Sequence, residues 1–178
     1  ALSENLSIKQ VAIDGKTMRG SGTNKFGPLH LVSAWATANH LSLGQVAVDS
    51  KSNEITAIPK LLELLDIEGA LVTIDAMGCQ KGIAAAIRSK KADYILTVKD
   101  NQPTLLEDIQ QCFQQALDTH FADVKYSEHT TKSRGHGRTE TRSYTIITDP
   151  VGLRHVDLWQ DLCVIGMCVS ERTVKGKE

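Results

Sequence analysis

No apolar run in this chain approaches the 18 or more residues of a membrane-spanning helix, and no segment has the make-up of a secretory leader. The expectation is a cytoplasmic protein without a membrane partner. Cys79, Cys112, Cys163 and Cys168 form no C-x-x-C pair, and no histidine stands at zinc-finger spacing from them. They read as reduced core residues, two in helices and two in one apolar strand. An excess of one charge is also missing: the net charge is −1, so any nucleic-acid contact must come from local patches. Internal repeats and low-complexity segments are absent. With 178 residues, 41% of them hydrophobic, the chain can bury one sizeable core but not two comfortable ones. It opens on Ala1 and stops on the charged tail Arg172 to Glu178, and reads as a piece of something longer.

What the sequence does contain is a pair of short apolar runs, each ending in an aspartate: Val11-Ala12-Ile13-Asp14 and Leu71-Val72-Thr73-Ile74-Asp75. A carboxylate at the mouth of a buried strand is held on the rigid edge of a sheet. Two such strands side by side would bring two like charges together, and a cation between them relieves the repulsion. Gly15 and Met77-Gly78 follow the two runs, so backbone can approach a ligand there. The competing reading is that each aspartate only caps a turn or helix.

Residues 11–14 read as a strand. Leu29 to Ala36 and Leu41 to Val48 suit a hairpin across Asn39-His40. Ile55, Ile58, Leu61, Leu62 and Leu65 recur at helical spacing, and Pro59 fits only in a first turn, so this helix should begin near residues 54 to 57. Strand Leu71 to Asp75, helix Cys79 to Lys90 and strand Tyr94 to Val98 follow. Pro103 then opens a helix with the stripe Leu105, Leu106, Ile109, Phe113, Ala116 and Leu117. Beyond residue 118, Val124 to Glu128, Arg142 to Asp149 and Leu162 to Val169 read as strands, separated by a basic polar loop and by Pro150-Val151-Gly152.

This order predicts an α/β protein with a ribonuclease-H-like mixed sheet. Three antiparallel strands would be extended beyond the first by two parallel ones, with helices on both faces. A β-rich insertion over residues 119–178 would sit within one core spanning 1–178. In that topology the first and fourth strands are neighbours, which puts Asp14 beside Asp75.

At this point the residues carry a family. Val11-Ala12-Ile13-Asp14-Gly15-Lys16-Thr17-Met18-Arg19-Gly20, Leu29-His30-Leu31-Val32-Ser33-Ala34 and Lys51-Ser52-Asn53-Glu54-Ile55 resemble successive motifs of bacterial insertion-sequence DDE transposases of the H-repeat-associated type. So do Thr73-Ile74-Asp75-Ala76-Met77-Gly78-Cys79-Gln80, Lys99-Asp100-Asn101-Gln102 and His136-Gly137-Arg138-Thr139-Glu140-Thr141-Arg142. Asp100 stands where that family usually has glycine. The resemblance implies a core that cuts and rejoins DNA with Mg2+ or Mn2+, with Asp14 and Asp75 as the first two acids of the catalytic triad and as metal ligands. It implies a third acid on a later helix, in a block this sequence does not contain, and hence poor catalysis by this stretch alone. Insertion-sequence ends and target DNA are the implied partners, a second copy of the chain is a candidate one, and the implied location is the bacterial nucleoid.

Glu54 is a candidate accessory residue, or a first-turn acid that complements a helix dipole. Lys99, Asn101 and Gln102 are candidate DNA contacts along the same rim, or an ordinary helix cap. From Lys125 to Arg142 the basic residues form one candidate phosphate-contacting patch, in which Lys132, Arg134, His136 and Arg138 are the expected DNA-binding residues. A solvated loop is its bland alternative. His30, His40, His120 and His155 carry no expected role. Two other enzyme readings fail on spacing: a phosphate-binding P-loop at Gly15-Lys16-Thr17 needs glycine where Gln10 stands, and a dehalogenase-type phosphatase needs aspartate where Lys16 stands. The rival outside enzymology is a truncated or domesticated core that persists as a non-catalytic DNA-binding or interaction module.

Overall fold

The structure, a computed structural model, describes residues 9–22, 28–48, 53–135 and 138–174. Two compact units divide them. The first runs to Pro103 and takes in Asp157–Asp161; the second holds Thr104–Val156 and the chain from Leu162 onward.

The first unit is built on five strands: β1 (Gln10–Thr17), β2 (His30–Ala36), β3 (Leu41–Ala47), β4 (Leu71–Ile74) and β5 (Asp93–Leu96). They lie in the order β3-β2-β1-β4-β5. β1 to β3 are antiparallel neighbours, whereas β4 runs parallel to β1 and β5 parallel to β4. This is the mixed sheet the sequence predicts, with β1 in its middle. Alternate residues decide which face is buried. Val11, Ile13, Val32, Ala34, Val72 and Ile74 point one way and meet Ala57, Ile58, Leu61 and Leu62 of α1 (Glu54–Leu64) and Ile83 and Ile87 of α2 (Lys81–Ser89).

Both helices therefore cover the same face, and the expected covering of both faces is not met within this unit. The residues pointing the other way on the three central strands, Ala12, Ser33, Trp35 and Thr73, make no continuous apolar stripe. The second correction concerns Pro59, which lies inside α1 beyond its first turn. Asn53 caps that helix, accepting from Thr56 N at 3.3 Å, and burial of four α1 side chains outweighs the backbone hydrogen bond that proline withholds. α2 starts two residues later than its apolar spacing suggests, because the 3₁₀ turn Ala76–Gly78 and extended Gln80 precede it.

The second unit pairs α3 (Pro103–Asp118, all but its first residue) with an antiparallel sheet of β6 (Lys125–Gly135), β7 (Arg138–Thr148) and β8 (Val164–Val174). Phe113 and Ala116 of α3 bury against Ile147, Leu153 and Ile165. On the same helix Asp108, only 2% exposed, accepts from Arg154 N and Arg154 Nε, both at 2.7 Å. The expected basic loop proves to be the paired arms of a long hairpin, in register from Lys125↔Thr148 to Gly135↔Arg138. Every residue of β6 is exposed, so no apolar alternation marks it as a strand.

Candidate functional site

Parallel pairing of β1 with β4 runs from Gln10↔Leu71 to Ile13↔Ile74. The next residue on each chain is an aspartate. Asp14 and Asp75 thus occupy equivalent positions at the ends of adjacent strands, and both are exposed. Asp14 still belongs to β1 and stands opposite Ser33 of β2. Asp75 has left β4 and caps the 3₁₀ turn, its Oδ1 accepting from Met77 N at 3.0 Å. Turn-capping and ligand-holding are compatible here, because Oδ2 has no protein partner among the described residues. These residues hold no cluster of three or more His, Cys, Asp or Glu able to enclose a metal ion.

The rim residues behave differently from one another. Asn101 Nδ2 donates to Ala76 O at 2.6 Å, and Gln102 Nε2 donates to Cys79 O at 2.8 Å and, more weakly, to Gln80 Oε1 at 3.4 Å. Their amides are spent on the turn that begins at Asp75, and they brace it. Lys99 is exposed, with its carbonyl accepting from Gln102 N. Beside them Cys79 is 1% exposed, and burial pushes its thiol up to about 11, so it is neither nucleophile nor ligand at neutral pH.

Glu54 lies on the other side of β1. Its Oε1 meets His30 Nε2 at 2.6 Å, and His30 Nδ1 meets Thr17 Oγ1 at 2.8 Å. A β-carbon on Gly15 would come within 2.1 Å of Glu54 Oε1. Gly15 points toward the helices and Asp14 away from them, so Glu54 sits behind the aspartate rather than beside it. His30, to which the sequence assigns no role, closes this chain of contacts. The one signal for it was the glycine directly after Asp14.

In the hairpin the expected DNA-binding residues separate. Lys132 pairs with Thr141 and Arg134 with Thr139, whereas Arg138 alternates with them onto the opposite face, together with Glu140 and Arg142. His136 lies outside the described residues.

The family of models described as the transposase DDE domain matches residues 6–152. The chain belongs to that family, as a bacterial DDE transposase. It is 50% identical over 139 residues to YncI of Escherichia coli O157:H7, a candidate transposase, an alignment covering 76% of this chain and 35% of that protein. It is 40% identical over 142 residues to YbfD of Escherichia coli strain K12, an H repeat-associated candidate transposase, covering 79% of this chain and 55% of that one. The chain thus spans about half or less of the length of these relatives. A piggyBac transposase synaptic complex with hairpin DNA is similar at a TM-score of 0.42 and 10% identity, over 78% of this chain and 32% of that one, a likeness too distant to bear on the fold.

Proposed function

We propose that this chain forms the ribonuclease-H-like part of a transposase catalytic core that cleaves and transfers DNA strands with Mg2+ or Mn2+. The observation that carries the reading is the parallel register ending in Ile13↔Ile74, which sets Asp14 and Asp75 at matching strand ends. Two exposed carboxylates are hard oxygen donors of the kind magnesium and manganese prefer, so the donor chemistry fits. They supply part of a ligand set, since no third acid stands close enough to join them among the described residues. When bound, a divalent ion there supplies Lewis-acid polarisation of a phosphodiester and activation of the attacking hydroxyl.

The chain's own residues do the positioning. Strand pairing fixes Asp14; Met77 N, Asn101 and Gln102 fix the turn that carries Asp75. Lys99, exposed in the β5–α3 connection that also holds Asn101 and Gln102, is suited to a phosphate of the DNA backbone.

The test is a Mn2+ titration followed by paramagnetic NMR broadening and calorimetry on the wild type, Asp14→Ala and Asp75→Ala. The expected result is broadening centred on residues 14 and 75, with an affinity on the order of 1 mM, about −4 kcal/mol, lost in both variants. Broadening that persists in both variants, or none in the wild type at tens of millimolar, would remove the metal site from this proposal.

A further inference from the structure

The three-stranded sheet offers nucleic acid two faces, and its register shows that they are not equivalent. On one face β7 places Arg138, Glu140, Arg142 and Tyr144, and β8 places Arg172 opposite Glu140 and Ser170 opposite Arg142. On the other face stand Lys132 and Arg134 of β6, with Glu128 of the same strand and Glu171 of β8, the latter paired with the same Thr141 that Lys132 faces. That second face carries two positive and two negative groups and is neutral overall. The first carries three arginines against one glutamate near its tip.

That glutamate does not merely subtract charge. Glu140 Oε1 accepts from Arg172 Nη2 at 3.1 Å, from Ser170 Oγ at 3.1 Å and from Arg142 Nη2 at 3.2 Å. Its own side chain is 12% exposed, while those of Arg142 and Arg172 are 48% and 55% exposed. The carboxylate lies beneath two guanidinium groups, with its pKa held below the usual value chiefly by the Arg172 hydrogen bond and then by Ser170. Each arginine gives one donor to it; Arg142 also hydrogen-bonds Tyr144, and about half of each arginine side chain still faces solvent. A guanidinium already held in place loses less freedom when it binds a phosphate bidentately.

We propose that the Arg138–Arg142–Arg172 face, organised by Glu140, is the surface that receives the sugar-phosphate backbone of duplex DNA, and that the Lys132–Arg134 face is not. This rests on the reading of the chain as a DNA-processing core and assigns the side of the sheet on which DNA lies. Backbone contacts of this kind are indifferent to sequence and release counterions, so their number is read from the salt dependence of binding.

The experiment is fluorescence anisotropy with a labelled 30-base-pair duplex of arbitrary sequence, titrated at several salt concentrations. Arg142→Ala/Arg172→Ala should weaken binding at least tenfold and lower the slope of log affinity against log salt by roughly 2, at about 0.9 for each phosphate no longer neutralised. Arg138→Ala, which leaves the Glu140 hydrogen bonds intact and so guards against a folding defect, should lower it by about 1. Lys132→Ala/Arg134→Ala should change affinity less than about twofold. Weakening on the lysine side equal to or larger than that on the arginine side would overturn the assignment while leaving DNA binding in place. A wild-type chain that binds no duplex at low salt would overturn both.

Discussion

A hydrogen atom is all that Gly15 can carry, because Glu54 Oε1 lies 2.1 Å from where its β-carbon would stand. Glu54 cannot simply swing aside without giving up the 2.6 Å contact to His30. Gly15→Ala should therefore destabilise the chain by about 1–3 kcal/mol, the usual penalty for overpacking a fixed site. Combining it with Glu54→Ala should cost less than the two single changes added together, by about 0.5 kcal/mol or more. Urea unfolding of all four members of that cycle checks both; strict additivity would mean that the two residues do not meet. The two aspartates were legible in sequence because each ends an apolar run. The His30–Glu54 pair was not, since its members lie 24 residues apart and meet only once β2 and α1 are both in place. Asn101 and Gln102 were legible as rim residues, but only hydrogen-bond partners reveal that they hold the Asp75 turn.

At the scale of elements, the start of α3 was readable to the residue, from Pro103 at its first position, and its course from a stripe of apolar side chains at helical spacing. The bases of the β6–β7 hairpin were read as the strands Val124 to Glu128 and Arg142 to Asp149, but its outer arms, read as a basic loop, were hidden for the opposite reason. A strand exposed along its whole length needs no apolar period, and its threonines and arginines resemble those of a solvated loop. α1 begins at Glu54, within the expected 54 to 57, but Pro59 lies beyond its first turn, because proline's usual place gives way where the helix is held by tertiary burial. The ion pair that ties α3 to the 149–156 stretch also has no local signature, being made by Asp108 and Arg154, 46 residues apart. Asp108→Ala should leave Arg154 N without its acceptor and lower the stability of the second unit by about 1–3 kcal/mol. The expected reading is a lower urea midpoint with an unchanged slope, while the β1–β5 sheet keeps its NMR shifts. An unchanged midpoint would mean that solvent replaces the carboxylate at no cost.

For the whole molecule, the near-zero net charge and the four cysteines say little until the fold distributes them. One thiol, Cys79, is buried, and Cys163 and Cys168 are exposed. An aromatic disulfide reagent at pH 8 should modify the two exposed cysteines quickly and Cys79 only as fast as the first unit opens around it, so that its rate reports opening of that unit. Fast modification of all four in the native state would contradict the packing of the 3₁₀ turn. The parallel pairing of β1 with β4 has a consequence in time as well as space. Asp14 and Asp75 are separated by about sixty residues of chain, and everything between them must be made before β4 can dock beside β1. At about 5–20 residues per second a ribosome needs about 3–12 s to cover that stretch. Throughout that interval a nascent chain holds Asp14 without Asp75, so the paired carboxylates come into being only once β4 has been made and has docked beside β1.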